Sequence, residues 1–436
     1  MNEKGLIKGF SKLTQEEKVR LISSRTSDPE SFVSEIKKLS HPDAGIQEKL
    51  NSFSENTIAN FPLPFGVAPN FLINNQDYVI PMVVEESSVV AAASSAARFW
   101  YERGGFHAAV KETTKTGQIH FAWLDHPGKL YESFENLKKY IFENTQHLTS
   151  RMKERGGGIV SIELIDLSQK IENIFQLKFS FNTADSMGAN FINSVLEESA
   201  NLLEQFFQKE EDVKRLEVIM AILSNYTPEC LVKVELKSPV TVFDNLDPDY
   251  SGEEFARRFV RAVQIAKNDI YRAVTHNKGI FNGIDAVVIA TGNDYRAVEA
   301  GGHAFASGNG SYSSLSYADV SDGDFVHGLE VPLALGTVGG LTRLHPLASW
   351  SFDLLGEPGA KELMMIAASA GLANNFSAIR SLVTVGIQKG HMKMHLENIL
   401  SFLNANEEEK KKVRKEFENK TISQNSVSNY LKIIRS

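Results

Sequence analysis

The sequence predicts an α+β protein in which a small α+β domain is inserted into a larger one. Three observations predict this class. Strand-like segments such as GQIHFAWL and FQLKFSFNT alternate with helical segments from about residue 106 to residue 240. Helices, glycine-rich turns and apolar strands return between residues 254 and 385. The fingerprints GxGxxG and GxxxxGK[ST] are both absent, so neither a conventional Rossmann domain nor a P-loop is predicted.

Composition excludes several classes of function. The chain has 436 residues, of which 42% are hydrophobic, and this is enough for two or three domains. A net charge of -8 argues against a nucleic-acid partner, because phosphate binding needs a basic surface. Cys230 is the only cysteine, which fits the reducing cytoplasm. No signal peptide and no apolar run of ~18 residues is present, so we expect a cytoplasmic protein that does not enter the membrane.

The elements follow in order along the chain. Residues 1–60 are charged and predict peripheral helices, and residues 60–84 predict loops and short strands. Residues 85–105 predict a helix that Ser87 or Ser88 caps and that Gly104 and Gly105 end.

The later segments complete the prediction. ESFENLKKYIFENTQHLTSRMKER predicts helix between the strands GQIHFAWL and GGGIVSIELIDL, and residues 185–207 predict an amphipathic helix. ECLVKVELKSPV predicts a strand, and NANEEEKKKVRKEFENK predicts a charged helical segment with a solvated face. Within residues 279–290, GIFNG predicts a turn and the apolar stretch after it predicts a fully buried strand, which a second turn, TGND, follows.

Lys278 precedes that predicted strand and Asp294 follows it. They are either two ordinary charged loop residues or two groups that a rigid strand fixes in one pocket. A lysine in such a pocket can stabilise a developing oxyanion. Glu86 stands at the start of the 85–105 helix, where acidic residues are favourable in any case. A catalytic acid there needs a raised pKa, although the helix dipole lowers it.

Other candidates concern a cofactor or a metal. The start of the helix at Asp185 offers free N–H donors to a pyrophosphate, and Gly188 allows close approach; the alternative is that Asp185 only caps the helix. Arg151 and Lys153 precede a glycine run and can receive a 2′-phosphate, which favours NADPH, or they form an exposed basic helix end. His391 and His395 are four apart in GHMKMH, but the sequence offers no third ligand, so we predict no metal.

Six stretches together resemble 3-hydroxy-3-methylglutaryl-CoA reductase of the soluble bacterial type, class II. They are ENTIANFPLPFGVAPNFLIN, PMVVEESSVVAAAS, DSMGAN, RAVTHNKGIFNGIDAVVIATGNDYRAVEAG, GTVGG and SLVTVGIQKGHMKMH, in the order that the family shows. The resemblance implies that Glu86 is the catalytic acid and Lys278 the oxyanion-stabilising cation. It further implies that Asp294 couples to both and that His391 protonates the departing CoA thiolate.

The resemblance also implies binding residues and a domain organisation. Residues that hold the substrate are Ser88, Arg272, Asn282, Asn225 and Asn375, the last near CoA. The dinucleotide-binding motif matches Asp185, Met187, Gly188 and Asn190. The resemblance implies a large CoA- and substrate-binding domain (1–110 and 225–385), a small ferredoxin-like NAD(P)-binding domain (111–224) and a C-terminal helical flap (386–436). Ser87 replaces the family's proline and Ser186 its alanine, without loss of a functional group.

The implied reaction is a four-electron reduction of 3-hydroxy-3-methylglutaryl-CoA to mevalonate and CoA. NADPH or NADH supplies two hydrides, and the intermediates are mevaldyl-CoA and mevaldehyde. The resemblance also implies a homodimer or larger assembly, in which the EESSVV segment of one chain meets the nucleotide domain of another. Two alternatives remain: the same enzyme oxidises mevalonate, or the protein is a non-redox lyase or binding protein for CoA thioesters.

Overall fold

The computed structural model describes residues 7–208, 216–244, 246, 251–384, 396–397, 399–417, 420 and 422–435. The helices are α1 (Gln15–Ser23), α2 (Pro29–Lys38), α3 (Ala44–Asn51), α4 (Val89–Tyr101), α5 (Pro127–Asn144), α6 (Gln146–Glu154), α7 (Ala189–Gln208), α8 (Gly252–Asn268), α9 (Ile270–Ala290), α10 (Tyr295–Ala306), α11 (Pro346–Leu354), α12 (Ala360–Val383), α13 (Glu407–Glu416) and α14 (Gln424–Arg435). The strands are β1 (Phe65–Ile73), β2 (Gln76–Val83), β3 (His107–Val110), β4 (Lys115–Trp123), β5 (Gly158–Asp166), β6 (Ile174–Asn182), β7 (Leu216–Leu223), β8 (Leu231–Pro239), β9 (Ser316–Ser321) and β10 (Asp324–Pro332). The α+β prediction is confirmed.

The largest core lies between an antiparallel sheet, of strand order β3-β8-β10-β9, and a layer of helices. Helix α12 packs against β8, α4 and α9, and α4 packs against the β1–β2 hairpin. Trp100 stands at the centre of this core and contacts the rings of Phe243, Phe325 and Phe376. The core is built from residues in 68–108 and 230–379, so two separated parts of the chain form it together.

A second core is formed by residues in 119–207 alone. Its antiparallel sheet has the strand order β5-β6-β4-β7, and α5, α6 and α7 supply its helices. Strand β6 lies between β4 and β5, which α5 and α6 connect. This is the β-α-β-β-α-β arrangement of ferredoxin-like folds, as the sequence resemblance implied. A third, smaller core includes Leu400, Val413 and Val427 near the C-terminus.

The buried strand predicted at residues 279–290 was wrong, because these residues form the second half of helix α9. Asp269 caps this helix by accepting hydrogen bonds from the backbone N–H groups of Tyr271 and Arg272. Gly283, read as a turn residue in the sequence, lies where α9 crosses α12. A Cβ atom there would lie 2.3 Å from the carbonyl oxygen of Ala370. The glycine therefore permits a close helix crossing, and it does not mark a chain reversal.

One predicted helix start and one predicted helix cap also differ from the structure. The helix expected from residue 185 begins at Ala189, and Gly188 before it has φ +88°, a left-handed conformation that favours glycine. Helix α4 begins after Ser88, as expected, but Ser88 has φ 79° and its side chain makes no capping hydrogen bond. None of the described helices is both long enough and apolar enough to cross a lipid bilayer.

Candidate active site

Lys278 and Glu86 form an ion pair, although they are 192 residues apart in the sequence. The ammonium Nζ of Lys278 lies 2.5 Å from Oε2 of Glu86. Both side chains remain accessible, with 58% and 42% of their surface exposed. Two of the four predicted catalytic residues therefore meet in one place that a substrate can reach.

Three elements bring this pair together. Glu86 lies in the turn between β2 and α4, and Lys278 lies in the third turn of α9. Helix α9 packs against both β2 and α4, which fixes the relative positions of the two residues. Ser88, two residues after Glu86, holds a left-handed backbone that is uncommon for a residue with a Cβ atom. Such conformations concentrate at functional sites.

Two more predicted substrate residues lie on helix α9. Asn282 is one turn beyond Lys278 and shares its face of the helix, because residues four apart are neighbours on a helix surface. Arg272 lies near the start of α9, and burial lowers the pKa of its guanidinium. Within the described ranges, no carboxylate pairs with this guanidinium. An arginine in that state can bind the carboxylate of a ligand bidentately.

Asp294 lies at the other end of α9, where it caps helix α10. Its carboxylate accepts hydrogen bonds from the backbone N–H groups of Arg296 and Ala297, and it pairs with the Arg296 side chain at 3.1 Å. Partial burial raises the pKa of Asp294, but the hydrogen bonds and the charge of Arg296 outweigh it, so the pKa lies below its ordinary value. Asp294 is therefore an anion at neutral pH.

Among the described residues, no hydrogen bond or ion pair joins Asp294 to Lys278, since Lys278 pairs with Glu86 and Asp294 with Arg296. Twelve residues of helix separate Lys278 from Ala290, which corresponds to about 18 Å at 1.5 Å per residue. Helix α10 then runs back along α9, since a Cβ on Gly302 would meet the Phe281 ring. Asp294, at the start of α10, lies beyond the end of α9. The predicted coupling of Asp294 to Lys278 and Glu86 stays a prediction.

The predicted dinucleotide motif is a loop held against the large core. Asp185 does not cap helix α7, contrary to one interpretation of the sequence. Its carboxylate instead accepts a hydrogen bond of 2.8 Å from the backbone N–H of Ala360, at the start of α12. Its carbonyl oxygen accepts a second bond, from the backbone N–H of Thr337. A Cβ on Gly188 would lie 2.3 Å from Cγ2 of Thr183, so this loop conformation requires glycine there.

Met187 and Asn225 line one recess with residues of helix α10. Its walls are mainly apolar, and its polar side chains come from β4 and from the segment after β7. Gly301 of α10 closes on Asn225, since a Cβ there would lie 2.7 Å from the Asn225 carbonyl oxygen. Nearby, Asn293 accepts a hydrogen bond from the backbone N–H of Gly336, in the segment GTVGG. Asn225 therefore lies beside the second half of α10, in the recess that it lines with Met187 of the dinucleotide motif.

Asn375, predicted near CoA, is 1% exposed and lies inside a polar network. Its amide donates to Nε2 of His276 at 3.2 Å and accepts from Nε2 of His327 at 3.0 Å. Burial lowers the pKa of both histidines to about 3, so both are neutral at pH 7. The sequence analysis missed the two histidines, because each is an isolated histidine in its own segment.

The remaining candidates are exposed or lie outside the described residues. Arg151 and Lys153 are in the last turns of α6 with exposed side chains, and Asn190 is exposed in the first turn of α7. His391 falls outside the described residues. In the part of the chain that the structure describes, no three His, Cys, Asp or Glu residues converge as a metal site.

Asp285 and Glu299 form an acidic pair between α9 and α10 that the sequence did not reveal. Oδ1 of Asp285 is buried without a hydrogen-bond partner. Burial, the charge of Glu299 and a hydrogen bond to it raise the pKa of Asp285 to about 8. Asp285 is therefore protonated at neutral pH, and it hydrogen-bonds to Glu299 across the contact between α9 and α10. Its position seven residues after Lys278, on the same helix face, is the signal that the sequence offered.

We expect Asp285→Asn to stabilise the protein above neutral pH. The folded pKa lies above the unfolded value, so the free energy of unfolding falls as pH rises between about 4 and 8. An asparagine keeps a donor toward Glu299 and removes this dependence. Thermal unfolding at pH 5 and pH 8.5 measures it: the variant gains stability over wild type at pH 8.5 by at least about 1 kcal/mol. Exposed Asp353→Asn is the control, and an equal effect at both pH values contradicts the assignment.

Comparisons with known proteins agree with this arrangement. Residues 15–396 match the family model described as hydroxymethylglutaryl-coenzyme A reductase. A 3-hydroxy-3-methylglutaryl-coenzyme A reductase of Archaeoglobus fulgidus is 36% identical over 393 residues, which are 90% of this chain and 86% of that protein. A probable reductase of Borreliella burgdorferi is 31% identical over 95% of this chain and 94% of its own length.

Solved structures of the Streptococcus pneumoniae enzyme give the same result. One, described as a class II 3-hydroxy-3-methylglutaryl-CoA reductase bound to NADPH in open conformations, is 37% identical. It has a TM-score of 0.71 and covers 86% of this chain and 99% of its own. A second structure is 35% identical, with a TM-score of 0.72 over 98% of this chain and 99% of that chain. By its sequence and its fold, this chain belongs to the hydroxymethylglutaryl-coenzyme A reductase family.

Proposed function

We propose that the protein reduces 3-hydroxy-3-methylglutaryl-CoA to mevalonate and CoA, using two molecules of NADPH or NADH. The observation that carries the proposal is the accessible Lys278–Glu86 ion pair, which distant segments assemble in a chain of this family. A thioester carbonyl and then an aldehyde must each accept a hydride, which leaves negative charge on oxygen. A cation and a proton donor in contact are what both steps require.

Each residue of the pair has one role in the proposed mechanism. The Lys278 ammonium binds the carbonyl oxygen and stabilises the negative charge that develops on it. Glu86, 2.5 Å from that ammonium, takes up a proton from solvent, which reaches both side chains, and transfers it to the oxygen in each step. The bound cofactor supplies the hydride in both steps. His391 protonates the CoA thiolate when mevaldyl-CoA breaks down to mevaldehyde, and it belongs to the proposed flap (386–436).

The substrate's own carboxylate is bound by the unpaired Arg272, with Ser88 and Asn282 holding the hydroxymethylglutaryl group. Asn375 supports CoA binding indirectly, through the buried hydrogen-bond network that it forms with His276 and His327. Asn225 contributes to substrate binding from the recess that it lines together with Met187. The large domain (1–110 and 225–385) carries most of these residues. The alternative of a non-redox lyase has no support in the family match.

The small domain (111–224) holds the nicotinamide cofactor through Asp185, Met187, Gly188 and Asn190. The loop fits this role, because it leads directly into helix α7, whose first N–H groups can bind a phosphate. The Streptococcus pneumoniae relative that binds NADPH supports NADPH as the cofactor here. Without a membrane-spanning helix among the described ones and with Cys230 a buried free thiol, we place the enzyme in the cytoplasm.

The active site is shared between two subunits of a homodimer. Lys278 pairs with Glu86 in the third turn of α9, whereas Asp294 follows the end of this helix, and the 12 residues from Lys278 to Ala290 correspond to about 18 Å. A reaction that needs both the ion pair and Asp294 therefore uses the ion pair of one subunit and the Asp294 of its partner. The EESSVV segment of one chain then faces the nucleotide domain of the other.

Arg151 and Lys153 are the proposed contacts for a 2′-phosphate. Their exposed side chains at the end of α6 can bind it bidentately or as a point charge. We expect Arg151→Ala or Lys153→Ala to lower kcat/KM for NADPH and to leave kcat/KM for NADH unchanged. The loss with NADPH should be smaller at high salt, because salt screens an exposed phosphate contact. An unchanged ratio of the two values in both variants removes this segment from the cofactor site.

His391→Gln separates the two halves of the reaction. Reduction of the thioester must release CoA, so we expect a large loss of rate with 3-hydroxy-3-methylglutaryl-CoA. Reduction of free mevaldehyde releases no thiolate and should be affected much less. Initial rates of NADPH oxidation with each substrate measure the difference. An equal loss with both substrates would assign His391 another role.

The function itself is tested by stoichiometry. Purified protein, 3-hydroxy-3-methylglutaryl-CoA and NADPH should yield one mevalonate and one free thiol for every two NADPH oxidised. Rates measured in the reverse direction, from mevalonate, CoA and NADP⁺, decide which direction dominates. Thioester cleavage without NADPH oxidation would instead support the lyase alternative.

A further inference from the structure

Asp285 of α9 and Glu299 of α10 are two carboxyl groups that face each other across a helix contact. Phe281 of α9 packs against His303 of α10, with ring centroids 4.8 Å apart. One turn later on α9, Asp285 hydrogen-bonds to Glu299, which lies one turn earlier on α10. The helices are therefore antiparallel, and their register places the two carboxyl groups opposite each other.

This pair of acids has no cation to neutralise it. Within the described ranges, no lysine, arginine or histidine forms an ion pair with Asp285 or Glu299. Oδ1 of Asp285 is buried, and no described residue donates a hydrogen bond to it. Two carboxyl groups can hydrogen-bond to each other only when one of them carries a proton, because an ionised carboxylate only accepts. The contact between α9 and α10 therefore depends on a bound proton.

Glu299 is the charged group that acts on Asp285. Where α12 crosses α9 next to Asp285, it presents an alanine and an asparagine, and neither titrates. The other titratable side chains of α9, α10 and α11 near the pair are bonded elsewhere or exposed. They are His303, bonded to Tyr312, Arg296, paired with Asp294, Lys278, paired with Glu86, and the exposed Asp353 of α11.

We propose that Asp285 is a positioning residue, whose protonated carboxyl group holds α10 against α9 and so keeps Lys278 and Asp294 in place for the reduction; this inference rests on the proposed function. Helix α9 carries Lys278 on the same face as Asp285, and Asp294 caps α10. Helix α10 also supports Asn225, whose carbonyl oxygen packs against Gly301. Loss of the proton leaves two anions in contact, and their repulsion separates the helices. A misplacement of about 1 Å can cost ~10²-fold in rate.

The pair responds to the pH of the solution, because both side chains are partly exposed and the proton can exchange with solvent. The pKa of Asp285 is raised to about 8, so the hydrogen bond is present at neutral pH and is lost as pH rises through that value. One pH unit higher, the deprotonated form outnumbers the protonated form about tenfold. We therefore expect kcat of the wild type to be about tenfold lower at pH 9 than at pH 7.

The test is the pH dependence of kcat for 3-hydroxy-3-methylglutaryl-CoA reduction in wild type, Asp285→Asn and Glu299→Gln, below their thermal midpoints. Each variant keeps a hydrogen bond between the two side chains and removes one of the two negative charges. We expect the ratio of kcat at pH 9 to kcat at pH 7 to be about tenfold higher in both variants than in wild type. Asp353→Asn removes an exposed carboxylate from α11 and should keep the wild-type ratio.

Amide hydrogen exchange of α9 and α10 measures the helix contact without any assay of activity. After correction for base catalysis of exchange, these helices should exchange about tenfold faster at pH 9 than at pH 7 in wild type, and equally fast at both in Asp285→Asn. A wild-type ratio of rates in both variants, or the same shift in Asp353→Asn, overturns the proposal and leaves the reductase function standing. A wild-type protein without reductase activity overturns both.

Discussion

Lys278→Ala should lower kcat for the reduction of 3-hydroxy-3-methylglutaryl-CoA by at least about 10³-fold while the protein stays folded. Loss of one neutral oxyanion donor typically costs ~10²–10³ in rate, and loss of a full positive charge costs more. Two successive hydride transfers depend on this one ammonium, so neither step can bypass the loss. The effect falls on kcat more than on KM, because the charge that Lys278 stabilises develops in the transition state.

The stability of the variant distinguishes catalysis from folding. The Lys278–Glu86 pair is about half exposed, and ion pairs of that kind contribute about 0–1 kcal/mol. The thermal midpoint of Lys278→Ala should therefore stay close to that of wild type. Lys267→Ala is a matched control, because Lys267 is an exposed lysine at the end of the preceding helix. Near-normal turnover in Lys278→Ala, or an equal loss in Lys267→Ala, would contradict the assignment.

The sequence predicted the α+β class and most of the elements because amphipathic spacing and β-branched runs are local signals. It failed at residues 279–290, where the apolar run fits a strand and a buried helix equally well. The glycines there seemed to mark turns. Gly283 in fact lets α9 approach the backbone of Ala370, and such a contact between distant helices leaves no trace in a single segment.

The site residues divide in the same way, into those that a local motif predicts and those that only contacts between distant segments reveal. Motif resemblance selected Glu86 and Lys278, and the structure brings them into contact. The resemblance could not predict that Asp185 caps helix α12 and not helix α7, because that hydrogen bond joins residues 175 apart in the sequence. Asp285 was missed for a related reason. Its importance lies in the burial of a carboxyl oxygen without a hydrogen-bond partner, which only the three-dimensional arrangement reveals.

Residues 279–290 form a helix and not the predicted strand, and this changes the expected position of Asp294 relative to Lys278. A strand between Lys278 and Asp294 was expected to fix both in one pocket of one chain. The helix extends about 18 Å from Lys278 to Ala290, before the turn that carries Asp294, and this is the reason for proposing that a second chain completes the pocket. Asp294→Asn is the suitable variant, since asparagine caps a helix as well as aspartate does and helix α10 should persist.

The most direct test of this two-chain site is subunit complementation between Lys278→Ala and Asp294→Asn. Each variant alone should be nearly inactive. A mixed dimer, purified through a different tag on each subunit, pairs the intact Lys278 of one chain with the intact Asp294 of the other at one of its two sites. Twofold symmetry then predicts recovery of about half the wild-type rate. A mixed dimer no more active than the two variants alone would contradict the shared site, and so would a fully active monomer in light scattering.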